Sequence, residues 1–249
     1  MPEDRTDSNE PPTGGALFAP TQWSVVLGAR SDSATRGPAL ERLCSTYWLP
    51  VYGYLRRRGH SGTDSEDLTQ GFFAYLLASD FLERPDAAKG RFRGYLIGAL
   101  KHFLSGHFER QSAQKRGGGV QFIDWSGIDA EREFGSLGST QLDPSEAYDS
   151  SWALVVFANA LRRLGEEQAA AGKTPLFAKL KRYLSSPAGA GDYDRSAREL
   201  GLSRSHVAVS VHRLNTRYRE LILLEIGSTV QDPQDVQDEV RHLLQALAR

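Results

Sequence analysis

The sequence predicts an all-α protein built as two small helical domains joined by a flexible linker. Three observations lead there. Apolar residues recur at helical spacing almost throughout, and no run alternates apolar and polar residues as a half-buried strand would. The helical pattern breaks at Gly117, Gly118 and Gly119, and an acidic stretch containing Gly and Ser follows to about Pro144. The division expected is a disordered tail over 1–19, a first domain over 20–116, a linker over 117–147, a second domain over 148–226 and a C-terminal amphipathic helix over 227–249.

Each element has a local reason. Thr21 can cap a short helix carrying Trp23, Val25, Val26 and Leu27. A second helix is expected from Pro38 to Arg58, interrupted or kinked near Pro50 and ended by Gly59. Thr63 with Glu66 three residues later has the form of a capping box. A long helical pattern runs from about Ala87 to Lys115. In the second half, helices are expected over Tyr148–Leu164, Pro175–Leu184, Asp194–Leu200 and Ser203 to about Ile226. A last one, roughly Val230–Leu247, places Val236, Val240, Leu243, Leu244 and Leu247 on one face. That face suits packing onto the preceding domain or binding a partner.

Composition excludes several classes. Cys44 is the single cysteine, so no internal disulfide forms; no Cys cluster suggests zinc, and the residue reads as a small buried hydrophobe. The first fifteen residues are polar and rich in Pro and Gly, unlike a signal peptide or anchor. A cytoplasmic protein without cofactor or bound metal is expected.

The net charge of −1 names no partner, but its distribution does. Between Ala87 and Arg116 stand Lys89, Arg91, Arg93, Lys101, Arg110, Lys115 and Arg116 against Glu109 alone. From Arg195 to Arg219 there are six arginines against Glu199 alone. Two basic segments in a near-neutral chain suit a polyanion met at two places, or two solvated helix faces.

The second basic segment carries the sharper motif, "DRSARELGLSRSHVAVSVHRLNTRYRELI". A short helix ends at Gly201, where the chain must turn, and Ser203 is a good N-cap for the next helix. Val207, Val211, Leu214, Tyr218 and Leu221 form its apolar stripe, while His206, Ser210, Arg213 and Arg217 step along another face. A second helix with hydrogen-bonding and cationic side chains outward suits a major groove: Arg204, Ser205 and His206 for base edges, Arg213 and Arg217 for phosphates. A plain helical hairpin with a basic face is the alternative. His206 and His212 lack acidic or Cys partners at ligand spacing, so a metal is not expected there.

In the first basic segment, "GRFRGYLIGALKHFLSGHFERQSAQKR", aromatics among cations suit single-stranded nucleic acid, on which bases stack. Helical spacing also assigns Phe92, Leu96, Leu100 and Phe103 to a core, leaving Tyr95, Lys101 and His102 for exposure. Ahead of it, "DSEDLTQGFFAYLL" spans Asp64–Leu77. There Leu68, Phe72 and Leu76 are expected to hold the helix to its domain, with Asp67, Gln70 and Phe73 outward. Gly71 costs about 1 kcal/mol against Ala in a helix, which close packing against a partner would explain.

Taken together, these stretches resemble the sigma-70 family of RNA polymerase sigma factors, of the extracytoplasmic-function (ECF) type, over about residues 20–226. "DSEDLTQGFF" resembles the polymerase-binding helix, "FRGYLIGALKHFLSGHFERQSAQKR" the promoter-melting helix, and the helix-turn-helix the domain that reads the upstream promoter element. The resemblance implies a factor without catalytic residues that binds core RNA polymerase through the largest-subunit coiled coil and flap regions, and directs initiation at promoter DNA. An anti-sigma or other regulatory protein is a further partner the family suggests. It places Asp64, Asp67, Leu68, Gln70, Gly71 and Phe73 against polymerase. It places Arg91, Arg93, Tyr95, Lys101, His102, Arg110, Lys115 and Arg116 along the melted (−10) element, and Arg204, Ser205, His206, Ser210, Arg213 and Arg217 on the (−35) element.

The chain departs from the family pattern at Gly71 (commonly acidic), His102 (commonly Asn), Gly106 (commonly Asp), Ala208 (commonly basic) and Asn215 (often in an arginine-rich stretch). Leu161–Tyr193 is longer than the compact family pattern. Two other readings compete. One is a stand-alone helix-turn-helix regulator with a ligand or dimer domain. The other is a metal-dependent nuclease using Asp64, Glu66, Asp67 and His102 or His107, although those carboxylates are explained by a helix N-terminus.

Overall fold

The computed structural model describes residues 33–78, 92–113, 142–230 and 234–247. Every regular element among them is helical, so the protein is all-α. In chain order they are α1 (Ser33–Arg57), α2 (Gly62–Ala78), α3 (Phe92–Ala113), α4 (Pro144–Ala170), α5 (Thr174–Leu180), a 3₁₀ turn (Lys181–Leu184), α6 (Asp192–Leu200), α7 (Arg204–Gly227) and α8 (Asp235–Leu247). The tail 1–19, the helix expected near Thr21 and linker residues 117–141 lie outside the described residues. No described helix is long and apolar enough to cross a membrane.

Helix ends follow local chemistry, with two departures from expectation. α1 begins before Pro38, runs without interruption through Pro50, and gives way to Gly59 at a φ of 91°. The cap of α2 is Ser61, not Thr63: the Ser61 hydroxyl accepts from the Asp64 amide at 3.1 Å and donates to the Asp64 carboxylate at 2.7 Å. Thr63 therefore lies inside the first turn. α4 opens with a full capping box, Asp143 accepting from the Glu146 amide and Glu146 accepting from the Asp143 amide, with Pro144 at the first position. Pro175 tops the short α5, whose continuation tightens into the 3₁₀ turn.

Two hydrophobic clusters form the interior. In the first, Tyr47, Tyr52 and Leu55 of α1, Phe72, Phe73 and Leu76 of α2, and Phe92, Leu96 and Leu100 of α3 are buried together. Tyr148, Trp152, Ala153 and Val156 of α4, Ile226 of α7 and Leu243 of α8 complete it. The second gathers Ala160, Leu164, Leu180, Tyr183 and Ala197 with Val207, Val211, Leu214 and Leu221 of α7. The clusters do not divide at residue 147. α4 is the shared beam: its first half closes the first cluster on α1, and its second half supports the helix-turn-helix. Cys44 is buried in the first cluster, and desolvation pushes its thiol up to about 12.

α8 packs on α4 and α7, with Val236, Val240 and Leu243 facing the first cluster. The apolar face expected to reach Leu247 stops early, since Leu244 is 58% exposed and Leu247 40%. Ser150 fastens the end of α8 by donating to the Ala246 carbonyl at 2.9 Å.

Candidate nucleic-acid interface

The helix-turn-helix forms as its residues dictate. α6 stops at Gly201, whose φ of 65° lies in the left-handed region, and the Leu202 amide returns to the Ala197 carbonyl at 2.9 Å. Ser203 then caps α7, accepting from the His206 amide at 3.2 Å. The apolar stripe Val207, Val211, Leu214 and Leu221 is buried as the spacing required, with Tyr218 half-buried and donating to the Phe157 carbonyl at 3.2 Å. Burying that stripe fixes what faces out: Arg204, Ser205, His206, Val209, His212, Arg213, Thr216 and Arg219 are exposed, and Ser210 lies at the edge.

The cations on that face are not equivalent. Arg217 is held by Glu167 of α4 through two hydrogen bonds of 2.8 and 2.7 Å, and by Glu220 at 2.7 Å. Hydrogen bonds to these carboxylates raise its pKa, and the bond from Arg217 holds Glu167 below the usual carboxylate range. Arg217, expected at a phosphate, forms a bridge from α7 to α4 in the free chain. Arg204 stands 3.6 Å from Asp194, a loose pair between exposed groups. Arg213 and Arg219 make no ion pair among the described residues. Asn215 donates to the Val211 carbonyl at 3.0 Å and the Tyr183 carbonyl at 3.5 Å, which ties the 3₁₀ turn to α7.

On α3 the candidate residues separate. Lys101 and His102 are exposed, on the side of Gly94, Gly98 and Ser105. Tyr95 is half-buried beside Phe92, and burial raises its hydroxyl pKa. Arg93 contradicts the sequence expectation. It is 7% exposed, pairs with Glu239 of α8 at 2.8 Å and with Asp149 of α4, and lies 5.2 Å over the Trp152 ring. Burial works against its charge, but Asp149 and Glu239 outweigh that and leave its pKa raised. His242 meets the other Asp149 oxygen at 2.8 Å, so α3, α4 and α8 share one polar knot. Arg91, Lys115 and Arg116, and the Arg110 side chain, lie outside the described residues.

The polymerase motif on α2 also divides. Asp64 and Asp67 are exposed and Gln70 half-buried, but Leu68 is buried and Phe73 is 1% exposed, stacked 5.9 Å from Trp48 at an interplanar angle of 13°. Phe73 therefore fills the core and does not face a partner. Gly71 has its close neighbour within the chain: a Cβ there would stand 3.4 Å from Cζ of Phe103. The side-chain amide oxygen Oε1 of Gln70 is buried without a hydrogen-bond partner.

Sequence reasoning missed the partners that sort the cations. Glu220, three residues after Arg217, was a readable signal; Glu167, Asp149 and Glu239 are too remote in sequence to read. Among the described residues no group of three or more His, Cys, Asp or Glu side chains could hold a metal ion. Searches of protein-family models, curated proteins and solved structures found no match to the chain.

Proposed function

We propose that the chain is a promoter-specificity factor of the sigma type, which binds core RNA polymerase in the cytoplasm and directs transcription initiation without catalysing a reaction itself. The observation that carries the reading is the outward face of α7. A helix set by a left-handed glycine turn and a serine cap presents Arg204, Ser205 and His206 at its exposed N-terminal end, with Arg213 two turns on. These are the donors a major-groove edge and its phosphates accept. Lys101 and His102 on α3 offer a second surface for the melted strand. The acidic first turns of α2, with Asp64 and Asp67, and the half-buried Gln70 are what remains of the polymerase motif once Leu68 and Phe73 are assigned to the core.

One observation favours a second reading, a stand-alone helix-turn-helix regulator. α4 joins both clusters, so the core beneath the reading helix is tied to the one that holds α2 and α3, whereas a factor spread over polymerase needs its two halves to separate. One experiment discriminates. Purified chain is offered a randomised duplex library at physiological salt, with and without core polymerase, followed by transcription from the selected sequences. The sigma reading expects selection and initiation only with polymerase. Tight, sequence-specific binding by the chain alone, with no stimulation of polymerase, would replace it with the regulator. Changing Arg204 or His206 should then alter which sequence is selected; unchanged preference removes them as readers.

A further inference from the structure

The stretch ahead of the helix-turn-helix that exceeds the compact sigma pattern has a place in the fold. The 3₁₀ turn Lys181–Leu184 and the following residues to Ala188 stand beside the outward side of α7, held there by the Asn215 amide and by Tyr183, whose hydroxyl donates to the Asp192 carbonyl at 3.1 Å. Between this wall and α7 lies an open cleft of about 440 Å³. On the helix side it is lined by Ala208, His212, Asn215, Thr216 and Arg219, steps of four, three, one and three that keep to one edge of the exposed face. The wall adds the hydroxyl-bearing Ser185 and Ser186.

The lining contains no carboxylate. Arg219 is exposed and makes no ion pair among the described residues, and the acid next to it, Glu220, is held by Arg217. Asp192, at the start of α6, spends one carboxylate oxygen on the Gly189 amide at 2.8 Å. A walled cleft with an exposed cation, an imidazole, several hydroxyls and no competing anion suits a tetrahedral, multiply accepting anion. Its position gives it a partner. Ser205, Val209 and Arg213 occupy the middle of the outward face, and a helix lying in a major groove has a phosphate strand along each side. The cleft lies along one such side. The opposite edge carries Arg217, already neutralised by Glu167 and Glu220.

We propose that the cleft between Ser185–Ala188 and α7 is a phosphate-ester site centred on Arg219, with Thr216 and His212 beside it, taken by one strand of duplex backbone flanking the bases that α7 reads. The DNA source rests on the function proposed above; the phosphate chemistry does not. A free phosphorylated small molecule offers the same group, and the test separates the two.

Full-length chain with core polymerase is titrated onto the selected duplex over a range of salt, as wild type, as Arg219→Ala and as Ser186→Asp, which sets a like charge in the wall. In parallel, inorganic phosphate and a nucleoside monophosphate are titrated into the free chain while the backbone amides of His212, Thr216 and Arg219 are followed by NMR. The expected result is that both variants weaken binding to every sequence by the same factor, and that Arg219→Ala lowers the salt slope by about 1 with sequence preference unchanged. An unchanged slope, with phosphate or nucleotide shifting those amides only while Arg219 is present, assigns the cleft to a free ligand and overturns the backbone contact. No response in either arm overturns the site. Wild-type chain that fails to engage DNA with polymerase defeats the functional reading, and the phosphate arm still judges the cleft.

Discussion

Arg93 and Arg213 are both arginines in basic stretches of aromatic-containing helices, yet they live in opposite environments. Arg93 is buried against Trp152 and shared between Asp149 and Glu239. Arg213 is exposed and makes no ion pair among the described residues. The difference teaches that a cation's meaning is decided by carboxylates arriving from other segments. Around α3 those acids are present and the arginine is part of the fold. Along α7 they hold Arg217 closely and approach Arg204 only to 3.6 Å, and Arg213 and Arg219 make no ion pair among the described residues. A basic run stays open to a polyanion only where the rest of the fold withholds its acids.

The comparison breaks most visibly at Arg93. Removing it takes from Glu239, 1% exposed, the guanidinium that balances its buried charge. Arg93→Ala is therefore expected to destabilise the protein by about 3–5 kcal/mol, read as a lower urea midpoint. The double variant Arg93→Met with Glu239→Leu keeps the volume and removes both charges, and it should recover most of that loss. If Arg93→Ala left the midpoint in place while promoter opening failed, Arg93 would belong with the DNA-facing cations and the contrast would collapse.

How far the sequence could be read follows the same division. The α7 stripe, the Gly201 turn and the Ser203 cap were legible because each depends on neighbours within a few residues. The same holds for Leu96, Leu100 and Phe103, whose spacing alone placed them inside. Arg93 was not legible: its partners lie 56 and 146 residues away, and no local pattern announces them. Phe73 failed for another reason. Phe72 and Phe73 are adjacent, one helical face cannot hold both, and Trp48 arriving from α1 gives Phe73 a second apolar surface. At α2 the cap was misplaced by two residues, because Ser61 and Thr63 each have an acid three positions on, and the Asp64 carboxylate accepts from the Ser61 hydroxyl where a capping box would have it accept from the cap's backbone amide.

A smaller effect sharpens the contrast within α7 itself. Arg217 and Glu167 are both more than a third exposed, so solvent screens their pair. Arg217→Ala should cost about 0.5–1 kcal/mol, and Arg213→Ala should stay within about 0.5 kcal/mol. DNA engagement should reverse the order, with Arg213→Ala lowering the salt dependence and Arg217→Ala leaving it nearly unchanged. The pH dependence has a definite sign. The folded-state pKa of Glu167 is depressed, so its contribution is present above the unfolded value near 4.5 and is lost as pH falls through the folded one. The stability gap between wild type and Arg217→Ala should therefore narrow as acid is added below about pH 4.5. A gap that persists in strong acid would mean that the Arg217 stem contributes by packing.

The smallest expected effect falls on Gly71, where fold and partner make competing claims. In a helix interior, replacing Gly with Ala contributes up to about 1 kcal/mol through backbone entropy alone. The added methyl would meet Cζ of Phe103 at 3.4 Å, close to ordinary van der Waals contact. That ring already packs on Phe72, Tyr75 and His107 at centroid distances of 5.7, 5.5 and 5.6 Å, so it has little room to retreat. Gly71→Ala should accordingly raise the urea midpoint by a few tenths of a kcal/mol, on the order of half the full helix gain. Core polymerase affinity, measured on the same Ala variant, then assigns the glycine. Unchanged affinity means it serves the α2–α3 approach alone. A loss of affinity in a protein that has become more stable means that a partner also needs the space above Gly71, beside the exposed Asp67.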